Sequence, residues 1–279
     1  MAIGNLLCRR AVRVAVLLAV LAVVFAPSKQ HVPAIRASGL SETWQQVFPT
    51  ASPGYRWAAS MVYAPNSGGV LLFGGRTGTD GNTYLDETWL WNGVTWIQQF
   101  PQHKPPARGQ AAMAYDASHN TVVLFGGFGN GGSTFLGDTW LWSGSDWTQG
   151  FPAVSPPPRS SANMVYDANA QVAVMFGGDV LNSSGNTDTW TWNGVTWKQE
   201  APAHNPPTRI LAGMAYDAVH RGIVMYGGVY FDQSSLIYVK RNDTWIWSNG
   251  DWALASPTSS PPPLSDANMA FDAESNLGN

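Results

Sequence analysis

Cysteine is almost absent from this sequence, with one residue, Cys8, among 279. A single thiol cannot form an intramolecular disulfide, and the region after residue 37 contains no cysteine that could bind a metal. Charge is also scarce, since 12% of the residues are charged and the formal net charge is −3. This balance creates no large electrostatic field of one sign, so the composition predicts no nucleic-acid partner.

Glycine, proline and tryptophan are abundant, with 29, 19 and 14 residues respectively. Glycine and proline disfavour long helices, while tryptophan is enriched in strands. The composition therefore predicts an all-β fold of many short strands joined by turns. Aromatic side chains rather than salt bridges are expected to hold these strands together.

The first 37 residues have the pattern of an export signal. Arginines within residues 9–13 precede an uninterrupted apolar run over residues 14–26, which is too short to span a bilayer comfortably. Cleavage after Ala26 and cleavage after Ala37 both fit the small residues at these points. We therefore expect an exported protein, secreted or at the cell surface, that contacts a membrane only if this leader stays uncleaved.

The remainder, residues 38–279, contains a unit that occurs four times at intervals of about 50 residues. The approximate bounds of the units are 56–100, 108–152, 159–201 and 209–256. Several landmarks agree on this register. They are Arg56, Arg108, Arg159 and Arg209, the pairs Gly74-Gly75, Gly126-Gly127, Gly177-Gly178 and Gly227-Gly228, and three tryptophans per unit, as in Trp140, Trp142 and Trp147.

Each unit divides into four predicted strands. The second, as in residues 122–125, is apolar at nearly every position, which indicates a strand buried on both faces. The third carries tryptophans two residues apart, so both side chains lie on one face and fill the gap to a neighbouring sheet. Asn92-Gly93 and Asn193-Gly194 predict two-residue hairpin turns with positive φ at both residues. Such four-stranded units, packed face to face around an axis, form a β-propeller.

The order of motifs within the unit resembles the Kelch repeat. Tyr-Asp, an apolar strand ending in Gly-Gly, Asp-Thr-Trp and a final Trp recur over residues 42–272, although Glu87 and Leu264 depart from the pattern. The resemblance implies a Kelch-type β-propeller with four complete four-stranded blades and partial strands at 42–49 and 266–272. Because Kelch rings are commonly closed by strands from both termini, we expect an incomplete chain whose fuller form has about six or seven blades.

One end of the predicted blades collects the candidate binding residues. Antiparallel strand order places the repeated arginines, the glycine pairs and the loops between second and third strands at this end, named the loop end here. The longest of these loops, residues 229–242, is rich in aromatic and basic side chains. Variable loops on a rigid scaffold commonly bind ligands. The candidate ligand-binding residues are Arg56, Trp57, Arg108, Arg159, Arg209, Tyr230, Phe231 and Tyr238.

Two interpretations of the repeated arginines are open. In one, they form a ring that binds carboxylate or phosphate groups bidentately. In the other, each belongs to the structure of its unit and is held by Asp138, Asp188 or Asp243, or by a tryptophan. The regular tryptophans are interpreted as packing residues rather than sugar-stacking platforms. Trp57 lies outside their pattern and is the better candidate for ligand contact.

No catalytic residue, metal site or cofactor is predicted. His103 and His204 occupy equivalent positions in two units, as do His119 and His220, which favours inheritance with the repeat over metal binding. Some secreted Kelch enzymes are galactose oxidases, and a resemblance to them would imply copper and a tyrosine cross-linked to a cysteine. Without a cysteine after residue 37, that cofactor cannot form in this chain.

The sequence favours an exported, noncatalytic scaffold that binds a protein or a glycan through the loop end. An enzyme acting on carbohydrate, with part of its site in the missing blades, is the first alternative. A structural or adhesive surface protein is the second. Whether the protein is an enzyme is left open by the sequence, with the noncatalytic interpretation preferred.

Overall fold

The structure is a computed structural model that describes residues 46–78, 83–129, 134–180 and 185–271. Within these ranges the regular structure is almost entirely strand, with one short 3-10 helix at Pro65–Ser67, so the predicted all-β class is confirmed. No helix in these ranges is long and apolar enough to cross a membrane. The expected leader, residues 1–37, lies outside the described residues.

Four antiparallel sheets follow one another along the chain, one in each repeat unit, and their main strands are arranged in sequence order. Sheet 1 consists of Ser60–Ala64, Gly69–Phe73, Thr88–Trp91 and Trp96–Gln99. Sheet 2 consists of Ala112–Asp116, Thr121–Gly129, Thr134–Trp142 and Trp147–Gly150, with Arg108–Gly109 added at one end. Sheet 3 consists of Asn163–Asp167, Val172–Phe176, Thr189–Trp192 and Trp197–Gln199. Sheet 4 consists of Gly213–Asp217, Gly222–Tyr226, Thr244–Ser248 and Asp251–Ala255.

Short two-stranded ribbons lie at the loop end of the first, third and fourth units. In the first unit Arg76–Thr77 pairs with Thr83–Tyr84, and in the third Arg159–Ser160 pairs with Asp179–Val180. In the fourth unit Val229–Asp232 pairs with Ile237–Lys240, within the long loop expected from the sequence. In the second unit the long strands Thr121–Gly129 and Thr134–Trp142 of sheet 2 reach the same region, with a shift of register between Leu136 and Thr139.

The core lies between neighbouring sheets, as expected from the apolar second strands. Leu71 and Phe73 of sheet 1 form one cluster with Leu124 of sheet 2, and the same kind of cluster joins sheet 2 to sheet 3 and sheet 3 to sheet 4. The first strands of consecutive sheets also adjoin one another. Each pair of neighbouring sheets is therefore stabilised by burial of their second strands between them.

The last tryptophan of a unit fixes its sheet to the preceding one. Trp147 Nε1 donates to Thr88 Oγ1 at 3.0 Å, and Trp197 Nε1 donates to Thr139 Oγ1 at 2.9 Å. Trp252 makes the equivalent 2.9 Å bond to Thr189. These tryptophans are fully buried, so the prediction that they pack between sheets is confirmed.

Replacing Thr139 by valine keeps the shape of the side chain but removes the acceptor for the buried indole N–H of Trp197. An unpaired buried donor costs about 1–3 kcal/mol, so we expect the free energy of unfolding to fall by about that amount. Thr148→Val, at an exposed position of the same sheet, is the matched control and is expected to change it by less than about 0.5 kcal/mol. Equal stability of the two variants in urea unfolding would contradict the role of this bond.

The turns between third and fourth strands differ from the prediction. Trp91 pairs with Trp96, so the loop has four residues rather than two, and Gly93 but not Asn92 has positive φ. The Asn92 side-chain oxygen accepts from the backbone N–H groups of Val94 and Thr95, which closes the wider turn. The same pattern occurs after Trp192, where Asn193 takes the role of Asn92. The two-residue hairpin prediction is therefore wrong at both places.

The partial strands expected at the chain ends are not formed in the described residues. Residues 46–49 and 266–271 have no strand assignment, and the rest of the expected strands at 42–49 and 266–272 lies outside the described part. Residues 261–266 nevertheless contact sheet 4, because the Asp266 N–H donates to the Leu211 carbonyl and the Tyr226 hydroxyl donates to the Pro261 carbonyl.

Candidate functional site

Each repeated arginine at the loop end is enclosed by its own unit. Arg108 Nε donates to the Pro106 carbonyl at 2.9 Å and Nη1 to the Gly126 carbonyl at 2.9 Å. Its Nη1 and Nη2 also make a bidentate pair with Asp138 at 2.6 and 2.7 Å. Arg159 with Asp188 and Arg209 with Asp243 repeat this arrangement. In the first unit, one oxygen of Glu87 accepts from Arg56 at 2.6 Å.

These arrangements decide between the two interpretations of the arginines. The side chain of Arg108 is 1% exposed, and its three guanidinium nitrogens all donate to groups within the unit. Asp138 also accepts from Trp140 Nε1 at 2.7 Å, so the pair ties together the beginning of the first strand and the third strand. The geometry therefore favours the structural role of Arg56, Arg108, Arg159 and Arg209 over a ring that binds anions.

The Asp138 carboxyl shows how strongly the pair favours its ionised form. Burial by itself would raise the pKa of Asp138, but the hydrogen bonds and the positive charge of Arg108 outweigh burial and lower the pKa below its usual value. The balance is the same for Asp243, where Arg209 and Trp245 lower the pKa. Both carboxyl groups are therefore ionised in the folded protein at neutral pH.

These lowered pKa values predict a loss of stability in acid. A carboxyl whose pKa is lower in the folded state contributes stability above its unfolded pKa of about 3.9 and loses it as pH falls through the folded pKa. We expect the free energy of unfolding to fall steadily below about pH 5. Asp138→Asn should flatten this pH dependence relative to the wild type, because it removes a carboxyl whose pKa is lowered in the folded state. Urea unfolding at a series of pH values measures both slopes.

A second set of loop-end residues changes from unit to unit. After each arginine, one residue forms an antiparallel bridge with the residue that follows the glycine pair. The four bridges are Trp57 with Arg76, Gly109 with Phe128, Ser160 with Asp179, and Ile210 with Val229. The backbone is thus repeated, while the residue after the glycine pair is a cation in the first unit, an aromatic ring in the second, a carboxylate in the third and an aliphatic group in the fourth. Such variation on a constant backbone is typical of a binding site.

The residue after each bridge has a left-handed backbone. Ala58, Gln110, Ser161 and Leu211 have φ of 58°, 58°, 57° and 57°. This conformation is unfavourable for residues with a side chain, and it persists here in a ladder of hydrogen bonds between units. Gln110 N–H donates to the Ala58 carbonyl at 2.8 Å and Ser161 N–H to the Gln110 carbonyl at 2.9 Å. The ladder holds the variable bridges of consecutive units side by side.

The variable positions enclose a pocket of about 440 Å³ at the loop end. Side chains from all four units line it, and the hairpin of the fourth unit contributes a further wall. The lining residues are Arg76, Gln110, Phe128, Phe135, Ser160, Ser161, Asp179, Ile210, Leu211, Val229, Tyr238, Lys240 and Ser265. The pocket therefore combines basic, acidic, hydroxyl, aromatic and aliphatic groups contributed by different units, which suits it to a ligand with more than one kind of group.

Arg76 differs from the repeated arginines in its surroundings. Its guanidinium carbon lies 3.6 Å from the centre of the Trp57 ring, and Nη1 donates to the Tyr84 hydroxyl at 3.2 Å. Its Nε is buried without a hydrogen-bond partner, and within the described ranges it has no salt bridge. Trp57 and Tyr84 thus orient a guanidinium that has donor capacity left over.

Asp179, in the third unit, lines the same pocket as Arg76 in the first unit. Burial raises the pKa of Asp179, and a hydrogen bond from the Val180 backbone only partly offsets that effect. In the part of the chain that the structure describes, Asp179 makes no ion pair. A partly buried carboxylate with a raised pKa is stabilised when a cation or hydrogen-bond donor is supplied.

The aromatic residues predicted from the sequence lie in two places. Trp57, half-exposed, stacks on Arg76 beside the pocket, and Tyr238 lines the pocket from the hairpin. Phe231 contacts Tyr238 edge to face at 5.2 Å between ring centres, while Tyr230 lies under Arg241 at 4.2 Å. Their role in ligand binding stays a prediction.

Sequence reasoning missed Arg76, Phe128 and Asp179, whereas Lys240 belongs to the long loop that it did predict. The signal was present, because the residue after each glycine pair changes its chemical type between units while the glycine pair itself stays the same. The bridges that bring these positions to one pocket depend on strand register across the glycine pair, which the repeat pattern alone does not specify.

The repeated histidines are held by nearby carboxylates. His103 Nδ1 lies 2.8 Å from Asp146, and His204 Nδ1 lies 2.8 Å from Asp251. His119 and His220 make the corresponding contacts with the aspartate three residues earlier. Among the described residues no group of three or more histidine, cysteine, aspartate or glutamate side chains is arranged to hold a metal.

Comparison with known proteins supports the fold more than a function. No family model matches the chain. It is 32% identical over 117 residues to the dynein regulatory complex subunit 7 of Chlamydomonas reinhardtii, which covers 40% of this chain and 10% of that protein. It resembles the solved structure of YjhT with a TM-score of 0.65 and 14% identity over 83% of this chain and 79% of that one. At this identity, the second likeness shows the all-β fold alone.

Proposed function

We propose that this protein is an exported, noncatalytic Kelch-type β-propeller scaffold that binds a protein or a glycan through its loop end. The fold part of the proposal is supported by four successive four-stranded sheets packed face to face, with their first strands adjoining. The likeness to YjhT over most of the chain agrees with this arrangement. The leader in residues 1–37 supports export.

The observation that carries the binding function is the contrast between the two ends of the sheets. At the opposite end, short turns recur with nearly the same structure, as in residues 92–95 and 193–196. At the loop end, the same backbone bears different side chains in each unit, and the fourth unit adds a hairpin. A scaffold that keeps its core and varies one end is organised for recognition there.

The hairpin tip presents apolar side chains to solvent. Leu236, Ile237 and Tyr238 are 72%, 56% and 64% exposed, next to the pocket. Exposed apolar and aromatic groups grouped in this way are typical of surfaces that become buried on binding a partner. Dynein regulatory complex subunit 7 is, by its name, part of a protein assembly, which gives modest support for a protein partner of this chain.

A carbohydrate-acting enzyme is the second candidate, and Asp179 is the observation that favours it. Burial raises the pKa of this carboxyl, which lies in the same pocket as Arg76. A carboxyl that holds its proton more firmly suits general acid catalysis. Turnover of a glycan by the wild type that is lost in Asp179→Asn would establish this candidate in place of the noncatalytic scaffold.

The experiment is to probe glycan and protein arrays with the labelled full chain and with two surface variants. One variant carries Leu236→Ser, Ile237→Ser and Tyr238→Ser at the hairpin tip. The control carries Val94→Ser and Val195→Ser, which are 73% and 72% exposed in turns at the opposite end. We expect the hairpin variant to lose binding by about 10-fold or more to the partner that the wild type recognises, with the control unchanged. Absence of a reproducible partner, or equal loss in the two variants, would contradict the proposal.

A further inference from the structure

We propose that the loop-end pocket binds a small zwitterion, an α-amino acid with an apolar side chain, whose carboxylate pairs with Arg76 and whose ammonium pairs with Asp179. This inference shares only its location with the proposed scaffold function. Binding of a macromolecule and binding of an amino acid can each be present without the other.

Arg76 supplies the carboxylate end of the site. Stacking on Trp57 and the hydrogen bond to the Tyr84 hydroxyl fix the plane of its guanidinium. Its Nε is buried without a hydrogen-bond partner, and within the described ranges the guanidinium has no salt bridge, so an anionic group that enters the pocket would supply the counter-charge that the protein leaves unmade. A carboxylate matches the forked geometry of a guanidinium better than a single hydroxyl does.

Asp179 supplies the ammonium end. Its backbone is held by the bridge to Ser160, and its carboxylate makes no ion pair within the described ranges. Because burial raises its pKa, an ammonium group in the pocket would relieve the cost of keeping the carboxylate ionised. Arg76 and Asp179 come from the first and third units and line the same pocket, so a ligand that carries both charges can pair with both.

Four apolar residues of the remaining walls favour an apolar side chain on the ligand. Ile210, Leu211 and Val229 from the fourth unit and Phe128 from the second are apolar and line the same pocket. These apolar walls favour burial of an apolar side chain, while Gln110, Ser160 and Ser161 line other parts of the same pocket. A volume of about 440 Å³ accommodates an amino acid and leaves room for water.

Lys240 is the other charged group that lines the pocket. It is exposed, in the hairpin strand that pairs with Val229, so its ammonium remains hydrated. The three charged side chains give the ionised pocket one net positive charge, and a neutral zwitterion does not change that balance. A dicarboxylate would be attracted to Arg76 and Lys240 but repelled by the Asp179 carboxylate, so a dicarboxylate is an informative control.

The test is isothermal titration of the full chain with free L-leucine, L-isoleucine, L-valine and L-phenylalanine at neutral pH. The controls for L-leucine are 4-methylpentanoate, which lacks the amine, 3-methylbutylamine, which lacks the carboxylate, and succinate. We expect binding of at least one of these amino acids and a loss of about 10-fold or more for each control. Tighter binding of succinate than of every amino acid would overturn the proposal.

Three variants assign the binding to these residues. Arg76→Ala and Asp179→Asn should each weaken binding of the amino acid by about 10-fold or more, whereas Lys198→Ala, at an exposed position outside the pocket, should not. Because Arg76 also packs on Trp57, Arg76→Lys and the nearly isosteric Asp179→Asn keep the test valid if Arg76→Ala does not fold. The assignment would be overturned by unchanged affinity in both pocket variants or by no binding of any of the four amino acids. It would also be overturned if the pocket bound a glycan through Arg76 and bound no amino acid. If the arrays show no reproducible partner for the wild type but amino acids still bind, the scaffold function fails and this inference stands.

Discussion

Replacing Arg108 by methionine is expected to lower the free energy of unfolding by about 3–5 kcal/mol, because it leaves Asp138 partly buried without its cation. The side chains of this pair are 1% and 20% exposed, and the bidentate bonds measure 2.6 and 2.7 Å. The arginine also donates to the carbonyls of Pro106 and Gly126, which would lose their partner as well. Chemical unfolding of the purified variant measures the loss.

A second substitution separates the charge from the packing. In Arg108→Met/Asp138→Asn, the amide oxygen can still accept from Trp140 Nε1 and no uncompensated charge remains. We expect the double variant to recover part of the lost stability, by about 1–3 kcal/mol. Lys198→Met, in the exposed pair with Glu200, is the control and should change stability by less than about 1 kcal/mol. A wild-type stability for Arg108→Met would show that the pair is not structural.

Replacing Gly126 by alanine is expected to destabilise the protein by about 2–5 kcal/mol, from left-handed strain and overpacking together. Gly126 has a φ of +65°, and a Cβ there would lie 2.5 Å from the Arg159 carbonyl oxygen and 3.0 Å from that of Leu136. Both obstacles are backbone atoms, so a side-chain rotation cannot relieve them. The clash would separate sheet 2 from the beginning of the third unit, where the pocket is formed.

Gly150 is the matched control in the same sheet. A Cβ at this position would meet Thr139 at 3.7 Å, which is an ordinary van der Waals distance, and its φ is not in the left-handed region. Gly150→Ala should therefore leave the free energy of unfolding within about 0.5 kcal/mol of the wild type. If Gly126→Ala unfolds at the same urea concentration as Gly150→Ala, the glycine pairs are not required by the backbone.

The repeat pattern predicts the sheets well because the apolar run that marks each second strand is local in sequence and recurs in every unit. Residues 122–125 were expected as a strand from their apolar run and lie within the strand Thr121–Gly129. The Asp138, Asp188 and Asp243 partners of the arginines also follow from the repeat, since each pair recurs with nearly the same spacing. Local periodicity and recurrence together were sufficient to predict the sheets and the arginine–aspartate pairs.

The turns and the pocket depended on information that the pattern does not contain. Asn92 closes a four-residue loop with its own side chain, so the Asn-Gly pair did not require positive φ at both positions. The pocket assembles Arg76, Phe128 and Asp179 through bridges between distant residues. The pocket also depends on how the left-handed residues hold the bridges of consecutive units side by side, which is a property of the packed structure rather than of one unit.

The most direct test of recognition at the loop end is hydrogen–deuterium exchange of the full chain with and without the partner found on the arrays. We expect slower exchange in the hairpin, Val229–Asp232 and Ile237–Lys240, and at the bridges around Arg76 and Asp179. Exchange in the turns at residues 92–95 and 193–196 should not change. Protection confined to those turns, with the hairpin unaffected, would contradict the account.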